Sequence, residues 1–261
     1  MNSEEADRAA AALHVARQRR VPIAPLPPDA APRTEAEGAL VQHALARRAG
    51  VASPGGFKIG ATAKRMQEYL GLTGPAAGFM AIANIHRSGA TIRLADFVRP
   101  GVECELAVRL SSDLPPGPCT AEQAADAVGD LVAGIEIVEN RYGELLQLGV
   151  PTLIADQVFH AACVLGEPGT HDWRALNIGA LRGRLVIDGH LRDEGVGADL
   201  MGHPMNCLAW LAGSPVAAAF GGLKAGQVIM LGSVTPPVWL TEPASVTVEF
   251  FPLPPVQVWL S

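Results

Sequence analysis

The rhythm of apolar and polar positions changes near residue 50. Before it the spacing is helical. Residues 3–20 read as a helix with Ser3 as the cap, acidic residues in the first turn, and Arg17, Arg19 and Arg20 at the end. Positive charge at that end suits the helix dipole. Residues 21–32 carry too many prolines for a helix and read as a connector. Thr34 and Glu37 form a capping box that opens a second helix, ending at Gly50. The apolar faces of these two helices require a partner.

Beyond residue 50 short apolar runs take over, broken by Gly and Pro. Residues 57–60 read as a strand, and Thr62 as the cap of a helix that Gly71 stops. Further strands are expected around 91–94, 102–110, 132–139, 161–165, 181–188, 227–232 and 245–251. Helices are expected over about 120–130 and from His203–Pro204 to Leu211. Many strands and few helices point to an α+β or mostly-β roll, not a doubly wound sheet. The expected division is a helical N-terminal arm, 1–50, and a β-roll body, 51–261.

Two like charges on one strand face carry the chemical signal. In residues 100–110 (PGVECELAVRL), Glu103 and Glu105 point to the same side, and Cys104 and Leu106 to the other. Adjacent carboxylates repel, so a core strand carrying them calls for a cation. Glu136 stands alone in the apolar run 131–138, where a buried carboxylate must be protonated, paired or metal-bound. Three carboxylates with no Cys or nearby His among the ligands select a hard cation, Mg2+ or Mn2+. Read from spacing alone, a solvated Glu103/Glu105 face and a Glu136–Arg pair remain open.

Composition narrows the partners. The net charge of −6 argues against a nucleic-acid groove. Cys104, Cys119, Cys163 and Cys207 form no C-x-x-C pair and read as reduced core residues. No signal peptide and no apolar segment long enough for a membrane is apparent, so a cytoplasmic location is expected. Only 18% of residues are charged, which favours surface hidden in an oligomer.

Several segments, in order, resemble the 2-keto-4-pentenoate hydratase/4-oxalocrotonate decarboxylase branch of the fumarylacetoacetate hydrolase superfamily. They are 56–64 (GFKIGATAK), 102–105 (VECE), 134–142 (GIEIVENRY), 155–160 (ADQVFH), 200–211 (LMGHPMNCLAWL) and 223–232 (LKAGQVIMLG). The resemblance implies a fumarylacetoacetate-hydrolase-type mixed β roll with a helical N-terminal arm. It implies Mg2+ or Mn2+ on Glu103, Glu105 and Glu136, and a small 2-oxo or 2-enol acid substrate. Lys58 matches the family's active-site lysine.

Three positions depart from the family pattern. Ala76 stands for an acidic residue, Phe159 for a serine, and Leu231 for a threonine before Gly232. Phe159 and Leu231 are therefore expected to pack against a larger, more apolar substrate, with Gly232 and Ser233 beside them. His160 is the foremost substitute acid–base group, with Tyr142, His86 and Ser233 behind it. The implied activity is hydration of a 2-hydroxy-2,4-dienoate. Decarboxylation or C–C hydrolysis of a related acid, or a catalytically reduced subunit beside a decarboxylase partner, are the alternatives. A homo-oligomer is expected.

Overall fold

The computed structural model describes residues 1–143, 145–170 and 172–261, with the side chains of 65, 69 and 145–147 left aside. Its helices are α1 (Ser3–Arg19), α2 (Glu35–Arg48), α3 (Lys64–Leu70), α4 (Ala121–Asp126), α5 (Leu145–Ala155), α6 (Pro204–Ala212) and α7 (Pro215–Ala219). The first seven strands are β1 (Gly56–Gly60), β2 (Ala76–Met80), β3 (Ile85–Arg87), β4 (Ala90–Ile92), β5 (Pro100–Leu110), β6 (Val128–Glu139) and β7 (His160–Leu165). They are followed by β8 (Arg182–Ile187), β9 (His190–Val196), β10 (Val228–Ser233), β11 (Val238–Trp239), β12 (Ala244–Phe250) and β13 (Val256–Leu260).

Two sheets form the α+β body. An eight-stranded mixed sheet runs β2-β1-β10-β5-β6-β7-β3, with β11 paired to one end of β5. A five-stranded sheet runs β4-β13-β12-β8-β9. The long antiparallel pair β5–β6 is the spine, and β12 and β13 pack across it. Strand alternation sends Cys104, Leu106, Ile135 and Ile137 into the main core together with Val246, Val248 and Phe250. The opposite face carries Glu103, Glu105 and Glu136, then a smaller apolar patch of Ala107, Val132 and Met230.

The two N-terminal helices lie against this body. Ala6, Ala9, Ala10, Leu13 and Ala16 bury one stripe of α1. Helix α2 packs between α1, α5 and α7. Gln42, fully buried in α2, donates to the carbonyls of Ala77 (3.0 Å) and Ile154 (2.6 Å) and accepts from the Phe79 amide (2.9 Å). A buried amide satisfied on both sides ties α2 to β2 and α5.

Local expectations needed correction in five places. Asn2, not Ser3, caps α1, in a capping box with Glu5. Thr62 caps nothing; Ala63 occupies that position, and Thr62 is buried beneath Gly232. The helix expected over 120–130 stops at Asp126, because Val128 already pairs with Leu110. Residues 76–80 are a strand, and residues 145–155 a helix broken at Gly149. No described helix is long and apolar enough to cross a membrane.

Candidate metal centre and its cavity

Register brings the carboxylates together. Glu103 on β5 lies directly opposite Glu136 on β6, and Glu105 is two residues along the same face. One oxygen from each lies within 4.8 Å of the other two. Glu136 is fully buried, Glu105 nearly so and Glu103 partly. Glu136 Oε1 has two partners, Lys58 Nζ at 3.3 Å and His160 Nδ1 at 2.8 Å. Its other oxygen, Oε2, is buried with none. Glu105 Oε2 accepts the Gly232 amide at 3.0 Å.

Electrostatics define the cluster's chemistry. Burial, reinforced by Glu136, pushes the Glu103 carboxyl up to about 8. Burial and both neighbouring glutamates push Glu105 well above the carboxylate range. Burial also disfavours the charged form of Glu136, but Lys58 and His160 outweigh it and bring the group down to about 2. Three carboxylates thus share one lysine, and burial holds His160 below its usual range although Glu136 opposes that. An all-oxygen set of three clustered carboxyls with an orphaned buried oxygen suits a divalent hard cation. Cys104 and Cys163 lie nearby, but burial raises both thiols and denies the site a thiolate.

A stability dependence follows. Glu103 gains affinity for its proton on folding, so its contribution is complete below the ordinary carboxylate range and is lost as pH rises through about 8. The metal-free protein is expected to lose thermal stability between about pH 6.5 and pH 8, above the range in which His160, His43 and His86, lowered by burial, add stability as pH rises. Saturating Mn2+ should restore it at the alkaline end. Differential scanning fluorimetry checks this; a metal-free melting temperature that rises over that range contradicts it.

The cluster opens through Glu103 onto a cavity of about 450 Å³, whose lining includes Lys58, Met66, Arg99, Phe159 and Trp239. A second depression, of about 710 Å³, meets Glu103 beside Thr62 and Ser233. The expected site residues therefore separate. Lys58, Glu103 and Phe159 face the first cavity. Glu105, Glu136 and His160 line neither. His160 is fully buried behind Glu136, where its imidazole holds that carboxylate instead of facing a ligand.

On β10 the expectations fare unevenly. Leu231 does not pack against the cavity; the strand bulges between Met230 and Ser233, and the Leu231 side chain is fully buried in the core. Gly232 has φ +112° and reaches the site through its amide; a Cβ there would lie 2.5 Å from Thr62. The Ser233 hydroxyl is engaged with the main-chain carbonyls of Thr235 (2.7 Å) and Cys104 (3.2 Å). His86 lies on β3 in a different groove. Ala76 sits on β2 opposite Gly60 and places no carboxylate beside Lys58.

The segment before His160 is strained. Gln157, Val158 and Phe159 all have positive φ (63°, 51° and 66°). Non-glycine residues pay about 1–3 kcal/mol each for this region. Gln157 Nε2 donates to the Phe79 carbonyl at 2.6 Å. Gly78 lets the turn approach β2, since a Cβ there would lie 2.6 Å from the Gln157 carbonyl. The fully buried Asp156 anchors the turn's start by accepting from Arg17 Nε (2.8 Å), Arg141 Nη2 and the Tyr142 hydroxyl (3.0 Å). The turn presents Phe159 to the cavity, edge-on to Tyr142 at 5.0 Å.

Sequence reasoning missed Arg17, Arg99, Arg141 and Trp239. Arg17 has the signature of any cation near a helix end, and its partner lies 139 positions away. Arg99 and Trp239 carry no local signal.

Residues 57–257 match the family described as "Fumarylacetoacetate (FAA) hydrolase C-terminal". A 2-hydroxyhexa-2,4-dienoate hydratase of Comamonas testosteroni is 32% identical over 184 residues, covering 69% of this chain and 68% of the relative. A 2-keto-4-pentenoate hydratase of Burkholderia vietnamiensis is 32% identical over 183 residues, covering 70% and 69%. A 4-oxalocrotonate decarboxylase from Pseudomonas putida G7, complexed with magnesium and adipate, superposes with a TM-score of 0.90 over 100% of this chain and 99% of that one, at 23% identity.

Proposed function

The chain belongs to the fumarylacetoacetate hydrolase family, and from that premise we propose that it is a divalent-metal-dependent hydro-lyase adding water to a 2-hydroxy-2,4-dienoate. The observation that carries this reading is the cluster of Glu103, Glu105 and Glu136, open through Glu103 to a cavity that Lys58 also lines. Glu103, Glu105 and Glu136 would hold the cation. Mg2+ or Mn2+ fits three hard oxygens in this small space. When bound, the ion supplies Lewis-acid stabilisation of negative charge developing on the 2-oxo acid.

The protein's own groups do the rest. Lys58 is nearly buried, with its ammonium at the boundary between Glu136 and the cavity. From there it orients the substrate carboxylate and exchanges a proton with the substrate carbon chain. His160 acts at one remove, fixing the orientation of Glu136. Phe159, Val138 and Met66 give the cavity apolar walls that limit water to the reacting end. The Tyr142 hydroxyl is spent on Asp156, so it is not the proton carrier.

One observation favours a second reading, decarboxylation of a related 2-oxo acid. Ala76, opposite Gly60 on β2, supplies no carboxylate to activate water, and loss of CO2 needs none. Proton NMR of the product decides between them. A new carbinol proton is the result expected. A lost carboxylate without a carbinol proton establishes decarboxylation, and two fragments establish C–C hydrolysis; either overturns the hydro-lyase reading.

A further inference from the structure

The cavity has a second charged end. Arg99 has φ +48° just before β5, and this turn directs its guanidinium toward the 140–142 segment. Its Nε donates to the Asn140 carbonyl at 2.9 Å, and its Nη2 donates to the Tyr142 carbonyl. Both partners are neutral main chain. They fix the guanidinium in place and leave its charge uncompensated by any carboxylate among the described residues.

Nearby charges are already matched. Glu139 pairs with Arg141, and Asp156 with Arg141 and Arg17. Asn140 lines the same cavity end; its Oδ1 accepts from the Tyr142 amide at 3.1 Å, and its Nδ2 has no protein partner among the described residues. This end therefore offers donors and lacks a side-chain acceptor to meet them.

The space between the two ends is apolar. Arg99 precedes Glu103 by four residues, at most about 13 Å along extended chain. Between them Gly101 has no side chain, and the Trp239 indole occupies that room; a Cβ on Gly101 would lie 2.8 Å from its ring. Phe159 and Val138 form other walls. The cavity thus runs from a cation-seeking carboxylate cluster, along an aromatic surface, to a fixed guanidinium.

We propose that the substrate is a 2-oxo or 2-enol dicarboxylic acid whose distal carboxylate is bound by Arg99 and Asn140, with its carbon chain lying along Trp239. This rests on the reading of the cluster as the seat of a chelated 2-oxo acid. A guanidinium held in register recognises a carboxylate through charge-assisted hydrogen bonds. Discrimination against an acid lacking the distal group is the expected consequence, because that acid forgoes the charge-assisted hydrogen bonds to Arg99, whose side chain is otherwise open to solvent.

Calorimetry with two unreactive probes in saturating Mn2+ tests this, namely 2-oxoadipate and 2-oxohexanoate, which differ only at the far end. The wild-type protein is expected to bind 2-oxoadipate about 10- to 100-fold more tightly. Arg99→Met should bring the ratio near unity while leaving 2-oxohexanoate affinity unchanged, and Arg99→Lys should keep part of the preference. A wild-type ratio near unity, or a ratio that Arg99→Met leaves intact, overturns the distal-carboxylate site alone. Failure of both acids to bind with Mn2+ overturns the chelate reading, and this inference with it.

Discussion

Glu136→Gln is expected to abolish cation-dependent turnover while leaving the protein folded. Glu136 carries the lowest-lying carboxyl of the cluster, at about 2, and contributes a buried carboxylate oxygen with no protein partner among the described residues. The amide keeps the shape but removes the charge that Lys58 and His160 oppose. Changes to groups that merely support a metal ligand cost about 10- to 100-fold in affinity or activity. Loss of a ligand charge should reach or exceed the upper end of that range. Glu103→Gln should behave alike, since Glu103 is both a cluster member and the member open to the cavity. Mn2+ titration followed by circular dichroism checks cation affinity and fold together. Unchanged metal dependence in both variants removes the assignment of these glutamates.

Lys58→Met separates chemistry from chelation. The methionine retains the apolar stem in the wall of β1 and deletes the ammonium between Glu136 and the cavity. A positioned proton-transfer group contributes about 10²- to 10⁴-fold to rate, and kcat should fall within that range. The cation and a small chelating acid should still bind, because Lys58 is not among the three carboxylates. Steady-state kinetics beside calorimetry reads both quantities. An unchanged kcat would mean that the proton passes through another group.

Alternation along one strand was enough to put Glu103 and Glu105 on a shared face, and the structure agrees. That Glu136 stands opposite Glu103 is a matter of register between β5 and β6, which no spacing within either strand encodes; the ordered family segments supplied it. His160 was legible as a residue near the site but not by role. Its neighbour segment turns left-handed for three residues, and that conformation sends Phe159 to the cavity and His160 inward. A Gln-Val-Phe run gives no local warning of such a turn, which depends on Asp156, Arg17, Arg141 and the close approach permitted by Gly78. Leu231 was misplaced for a related reason. The bulge in β10 breaks the period-two rule by which strand faces are assigned. The fold class was more legible than any single contact, because Gly- and Pro-punctuated strands and an N-terminal helical pair are properties of pattern.

Oxalate titrated into metal-stripped protein, with and without Mg2+ or Mn2+, tests the carboxylate centre most directly. Oxalate presents the planar pair of oxygens of a 2-oxo acid and needs no knowledge of the natural substrate. The expected result is binding only when the cation is present, and none in Glu136→Gln. Failure to bind with either cation, or equal binding without one, would contradict a metal centre at Glu103, Glu105 and Glu136.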